Sequence, residues 1–144
     1  MINVLSSITI YCPVQKAFEF ISSSENDFQW QYGTLASVQV SEGAARVGTF
    51  FRSIGHLLGR RILGTFEVTE YEPNKKYGFK SLSGPLRSNT LYTFEMANGC
   101  TKVKVFTQAS VVNLFQTHEG LVEKQMKKQL KDNLVMLKGI LETG

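Results

Sequence analysis

At 144 residues the chain has the length of one domain built around one core. Its make-up, 42% hydrophobic and 19% charged, excludes an intrinsically disordered chain, and no stretch approaches the roughly 20 apolar residues with which a helix crosses a bilayer. The balance of 16 Lys and Arg against 12 Asp and Glu gives a net charge of +4, which allows a weak attraction to anionic surfaces without calling for nucleic acid as a partner.

Met1-Ile2-Asn3-Val4 lacks a basic region followed by an apolar block, so no secretory signal is expected. Residues 3–11 alternate, with Val4, Ile8 and Ile10 on one side, and read as a half-buried strand. Pro13 suits the first position of a helix over 13–22, whose apolar stripe is Val14, Ala17, Phe18 and Ile21. The serines at 22–24 interrupt it. Ser24-x-x-Asp27 has the form of a capping box and predicts a second short helix carrying Phe28 and Trp30. Six strand-like segments follow, over 34–42, 48–58, 61–72, 76–82, 88–97 and 101–109. Gly59-Arg60, Glu72-Pro73-Asn74-Lys75, Ser83-Gly84-Pro85 and Asn98-Gly99 supply the turns between them. Ala36, Val38 and Val40 share one strand face, as do Tyr77 and Phe79, then Tyr92, Phe94 and Met96, then Val103, Val105 and Thr107. Short strands joined by tight turns predict a meandering antiparallel sheet.

A helix over about residues 115–142 closes the chain. At about 100° per residue, Phe115, Val122, Met126, Leu130, Leu134, Leu137, Ile140 and Leu141 fall in one arc. Lys124, Lys127, Lys128, Lys131 and Lys138 fall opposite. So long an apolar face needs a large partner, and the concave side of the sheet is the one the sequence provides.

The ordered set of motifs resembles a known superfamily. It comprises Ile8-x-Ile10-x-x-Pro13-x-x-x-Ala17-Phe18-x-x-Ile21, Trp30, Gly48-Thr49, Val68-Thr69-Glu70-Tyr71-Glu72-Pro73, Tyr92-x-Phe94-Glu95, Gly99-x-Thr101-x-Val103 and the final helix. Over nearly the whole chain, read as a single domain 1–144, this is similar to the START/Bet v1-like (SRPBCC) superfamily, whose small bacterial members are called polyketide cyclase/dehydrase-like. The resemblance implies an α+β helix-grip fold: a seven-stranded antiparallel sheet wrapped around a long C-terminal helix, with two short helices after the first strand. It also implies a cavity between sheet and helix. The superfamily includes lipid carriers, hormone receptors, plant allergens and aromatic cyclases, so the fold does not fix one activity.

Few residues suggest catalysis. His56 and His118 lie in different elements, with no metal-ligand spacing, and no metal or other cofactor is expected. Cys12 and Cys100 form no CxxC pair and read as reduced thiols of a cytoplasmic protein. There is no G-x-S-x-G elbow, and Gly59-x-x-x-x-Gly64 lacks the Lys-Ser/Thr of a phosphate loop.

The candidate lining of a cavity is aromatic: Trp30, Phe50, Phe66, Tyr77, Phe79, Tyr92 and Phe94, facing Met126, Leu130 and Leu137 of the helix. Asn133 lies inside the apolar arc, where a polar group needs a partner: a neighbouring strand, a water or a ligand. Glu119, near the same arc, is placed in the first helical turn, where a carboxylate suits the helix dipole. Arg52 and His56 share a face with Phe50 and Ile54. Facing inward they would polarise a ligand carbonyl or hold an acidic group; facing outward they are solvated. Phe51 and Leu57 on the other face leave that choice open. The expected role is binding or transport of an apolar or aromatic small molecule, such as a lipid or polyketide. A polyketide cyclase/dehydrase-like enzyme is one alternative. A protein-interaction or membrane-docking domain is another, with Lys124, Lys127, Lys128 and Lys131 as a contact for anionic membrane.

Overall fold

The computed structural model describes residues 1–31, 34–57, 59–84, 86–111 and 119–143. Strand β1 (Ile2–Ile10) leads into α1 (Val14–Ile21), a single 3₁₀ turn (Ser24–Asn26) and the one-turn helix α2 (Asp27–Trp30). Six strands follow: β2 (Thr34–Gln39), β3 (Phe50–Leu57), β4 (Arg60–Glu72), β5 (Lys76–Ser81), β6 (Leu86–Ala97) and β7 (Cys100–Val111). Helix α3 (Glu119–Thr143) ends the described chain. The seven strands form one antiparallel sheet in the order β1-β7-β6-β5-β4-β3-β2, so β1, first in sequence, pairs with the last strand. This is the helix-grip architecture.

The turns follow local chemistry. Ala97 and Cys100 are register partners, so Asn98-Gly99 is a two-residue hairpin loop. Its residues have φ of 51° and 81°, the left-handed pair that a hairpin of this length needs and that Asn-Gly supplies at low cost. Asn74, with φ 66°, turns the chain between β4 and β5, where Lys75 N–H donates to Glu72 O at 2.9 Å.

The core lies between the concave face of the sheet and the helices. Ala17, Phe18 and Ile21 of α1 are buried, as the helical spacing predicts. On α3, Val122, Leu134, Leu137 and Leu141 are buried, and Val103 and Val105 of β7 lie beneath the helices at 0% and 1% exposure. A chain of aromatic contacts runs over the strands. Phe51 stacks on Phe66 at 5.2 Å, both meet Phe79 edge-on, and Phe79 continues to Tyr77 and Tyr92. Polar ties hold α3 along β1 and α1. The Met1 amino group donates to Glu119 Oε1 at 3.1 Å, Lys138 Nζ to Thr9 O at 2.7 Å, and Lys16 Nζ to Leu141 O at 2.8 Å.

One expectation needs correction. The capping box does not form: neither the 3₁₀ turn nor α2 has a side-chain cap bond, and Ser24 is buried within the turn. Ala36 and Val38 of β2, and Val40 just past its end, look outward, with Val38 and Val40 about half exposed. Met96 is 71% exposed although it continues the face of Tyr92 and Phe94, because β6 runs on toward the Asn98-Gly99 turn past the end of the core. Phe115 and His118 lie outside the described residues.

Candidate functional site

The orientation of β3 decides where a ligand has room. Phe51 is 3% exposed and packs on Phe66 and Phe79, so the strand's inward positions are 51, 53 and 55. Those positions carry Phe, Ser and Gly. Opposite them β4 contributes Phe66, Gly64 and Ile62. The sheet wall is thus bulky at Phe51 and Phe66 and small at Ser53, Gly55 and Gly64 beyond them. At Gly64 a Cβ would sit 3.0 Å from Phe66 Cε2, so a larger residue there would have to displace the Phe66 ring.

This change in side-chain size leaves space between sheet and α3. Two adjoining chambers of about 210 and 220 Å³ share Gln31, Phe66, Leu86, Met126, Gln129 and Asn133 as walls. The outer chamber is bounded by Thr34, Ser53, Gly55, His56, Ile62 and Gly64. The inner one reaches Phe79, Tyr92, Val105 and Leu130, with Ser88, Thr90 and Thr107 on the strand wall. Thr90 and Thr107 are register partners on β6 and β7, and their hydroxyls bond each other at 3.1 Å. Apolar rings and aliphatic chains thus alternate with amides and hydroxyls, a wall suited to a largely apolar ligand with a few oxygen functions.

The candidate residues divide by place. Phe66, Phe79, Tyr92, Met126, Leu130 and Asn133 line the chambers; His56 borders the outer one but is exposed and falls on the outward alternation of β3 with Phe50 and Arg52. Trp30, Tyr77, Phe94 and Leu137 are core residues, 0% to 6% exposed, outside the chamber walls. Phe50 and Arg52 point to the convex side and are exposed, so the open choice for Arg52 resolves to the solvated orientation. Among the residues missed were Gln31, Gln129, Leu86 and the small strand residues. The period-two pattern around Phe51 was the available signal: once that ring is placed inward, Ser53 and Gly55 follow.

Next to the inner chamber lies a group of buried polar side chains. Asp27 is 8% exposed, and burial holds its carboxyl well above the ordinary carboxylate range. No described residue donates a hydrogen bond to it. Burial, and secondarily the Asp27 charge, push the Tyr77 and Tyr92 phenols far up, so both keep their protons at physiological pH. The Trp30 indole meets the Tyr92 ring edge-on at 6.2 Å, and its Nε1 is buried with no partner among the described residues. Cys12 is a buried thiol whose pKa burial raises, which makes it a poor nucleophile, and Cys100 Sγ donates to Ala97 O.

No protein-family model matches the sequence, and no curated protein matches it either. Solved structures do. A START superfamily protein from Mycobacterium smegmatis superposes with a TM-score of 0.84 over 99% of both chains at 13% identity. A protein from Thermus thermophilus gives 0.81 over 95% of this chain and 94% of its own, at 18% identity. The Zhui aromatase/cyclase from a Streptomyces species gives 0.77 over 97% and 93%, at 12% identity. The chain therefore has the START/Bet v1-like helix-grip fold, shared at an identity where fold carries over and activity does not. Among the described residues, no helix is long and apolar enough to cross a membrane.

Proposed function

We propose that the chain is a single START/Bet v1-like domain that binds or carries a largely apolar small molecule, a lipid, polyketide or similar ring system, between the sheet and α3. The observation that carries this reading is the pair of adjoining chambers walled by Phe66, Phe79, Tyr92, Met126 and Leu130. Gln31, Gln129, Asn133 and the Thr90–Thr107 pair would orient its oxygen atoms. A neutral apolar fluorophore, N-phenyl-1-naphthylamine, tests the location. It should bind with one site per chain, and Asn133→Phe, which puts a ring on the wall the two chambers share, should weaken binding about tenfold or more while leaving the circular dichroism unchanged. Equal binding by wild type and Asn133→Phe would place the probe elsewhere.

A second reading is catalytic: a cyclase acting on a linear poly-ketone. It is favoured by the Tyr92 phenol on the chamber wall, together with the likeness to a solved aromatase/cyclase. A phenol held protonated by burial serves as a hydrogen-bond donor to a carbonyl rather than as a base. On this reading Tyr92→Phe abolishes conversion of a poly-ketone substrate while still binding the fluorophore. Absence of turnover by the wild type over a broad substrate panel leaves the binding role.

A further inference from the structure

Away from the chambers, the outer side of α3 meets the edge of the sheet at β1. The groove between them, about 450 Å³, has Val4, Leu5, Ile8, Leu134 and Val135 along it and Lys127 and Lys131 at its rim. Leu5 and Val135 are 70% and 61% exposed, and Leu121, one helix face over, is 57% exposed. Lys124, Lys127, Lys128 and Lys131 are exposed on this side of α3, with no acid between residues 124 and 131. β1 itself carries no charged residue.

The acids on α3 do little to neutralise this side. Glu119 receives the Met1 amino group, and Glu142 binds Lys138 at 2.6 Å. Glu123 pairs with Lys127 at 3.8 Å, an exposed contact of little strength, and Asp132 is exposed at one border. Of the four lysines, Lys127 is the one with an ion pair among the described residues. Exposed Leu and Val side chains interleaved with ammonium groups match the boundary of an anionic bilayer, where phosphates meet the lysines and short apolar side chains enter the headgroup layer. A nucleic acid would use the charges but not the exposed Leu5, Leu121 and Val135.

We propose that the outer face of α3 and the adjoining β1 edge dock on an anionic lipid bilayer. This goes beyond the cavity reading and does not depend on it. A domain seated this way would hold α3, one wall of its chambers, against the membrane.

Flotation with vesicles tests the proposal. The wild type should float with phosphatidylcholine vesicles containing phosphatidylglycerol, stay unbound with pure phosphatidylcholine, and be released by added salt. Reversing Lys124, Lys128 and Lys131 to Glu should lower partitioning by about 100-fold or more. Leu5→Ser with Val135→Ser should weaken binding several-fold with the charges intact. Changing the three lysines to Gln is the milder variant should reversal disturb the fold. Equal binding to neutral and anionic vesicles, or full binding by folded lysine variants, would overturn the proposal. So would binding to heparin in solution with no flotation on anionic vesicles, which would make the face a general polyanion site. Each outcome is independent of fluorophore binding in the chambers, so failure of one reading does not mask failure of the other.

Discussion

Asp27 is buried in the first turn of a helix only one turn long, where the helix dipole offers little compensation for its charge. Its pKa in the folded chain lies above its unfolded value, so folding favours the protonated acid. Its contribution to stability is greatest below the unfolded carboxylate pKa and is lost as pH rises through the folded value. Asp27→Asn removes that loss. Thermal unfolding should show the Asp27→Asn variant more stable than wild type at neutral pH and the two converging near about pH 4. An unchanged difference between them across this range would mean that the carboxyl is already ionised and solvated at neutral pH. Single residues were unevenly legible in the sequence. Asn133 stands out because it interrupts an apolar arc, and it does line the chambers. Arg52 could be placed only once Phe51 was seen packed on Phe66, a contact between strands that neither strand's alternation encodes.

At the scale of elements, period and turn chemistry predicted most of what forms. The α1 stripe, the α3 arc and the Asn98-Gly99 hairpin lie where side-chain spacing put them. Element ends were less legible, since β7 runs from Cys100 to Val111 rather than from 101 to 109. Its partner β6 sets that length through a continuous register from Leu86↔Val111 to Ala97↔Cys100. The small inward residues Ser53, Gly55 and Gly64 were not recognised as chamber-forming, because a gap in a wall is defined by what stands opposite it. Leu137, fully buried where α3 crosses the core, anchors the helix. Leu137→Ala should cost about 2–5 kcal/mol in urea unfolding. Gly99→Ala, at φ 81°, should cost about 1 kcal/mol with the core intact. A smaller effect for Leu137→Ala than for Gly99→Ala would mean that α3 is not held by this seam.

For the whole molecule, the helix-grip architecture could be read from the order of motifs, and the superposition on solved structures agrees with it over nearly the full chain. The space within it could not be read that way. Aromatic residues were expected to line a cavity as a group, yet Trp30, Tyr77 and Phe94 pack into the core while Phe66, Phe79 and Tyr92 form the wall. Which rings fill and which enclose depends on how α2 and α3 seat against the sheet, and that is a property of the assembled fold. The central claim is that the chambers hold a molecule. Native mass spectrometry of the purified protein, with extraction and identification of anything released, tests this most directly. The account predicts a discrete apolar compound bound near one per chain and absent from Asn133→Phe. A wild-type protein that stays at its bare mass after exposure to total lipid and polyketide extracts would contradict it.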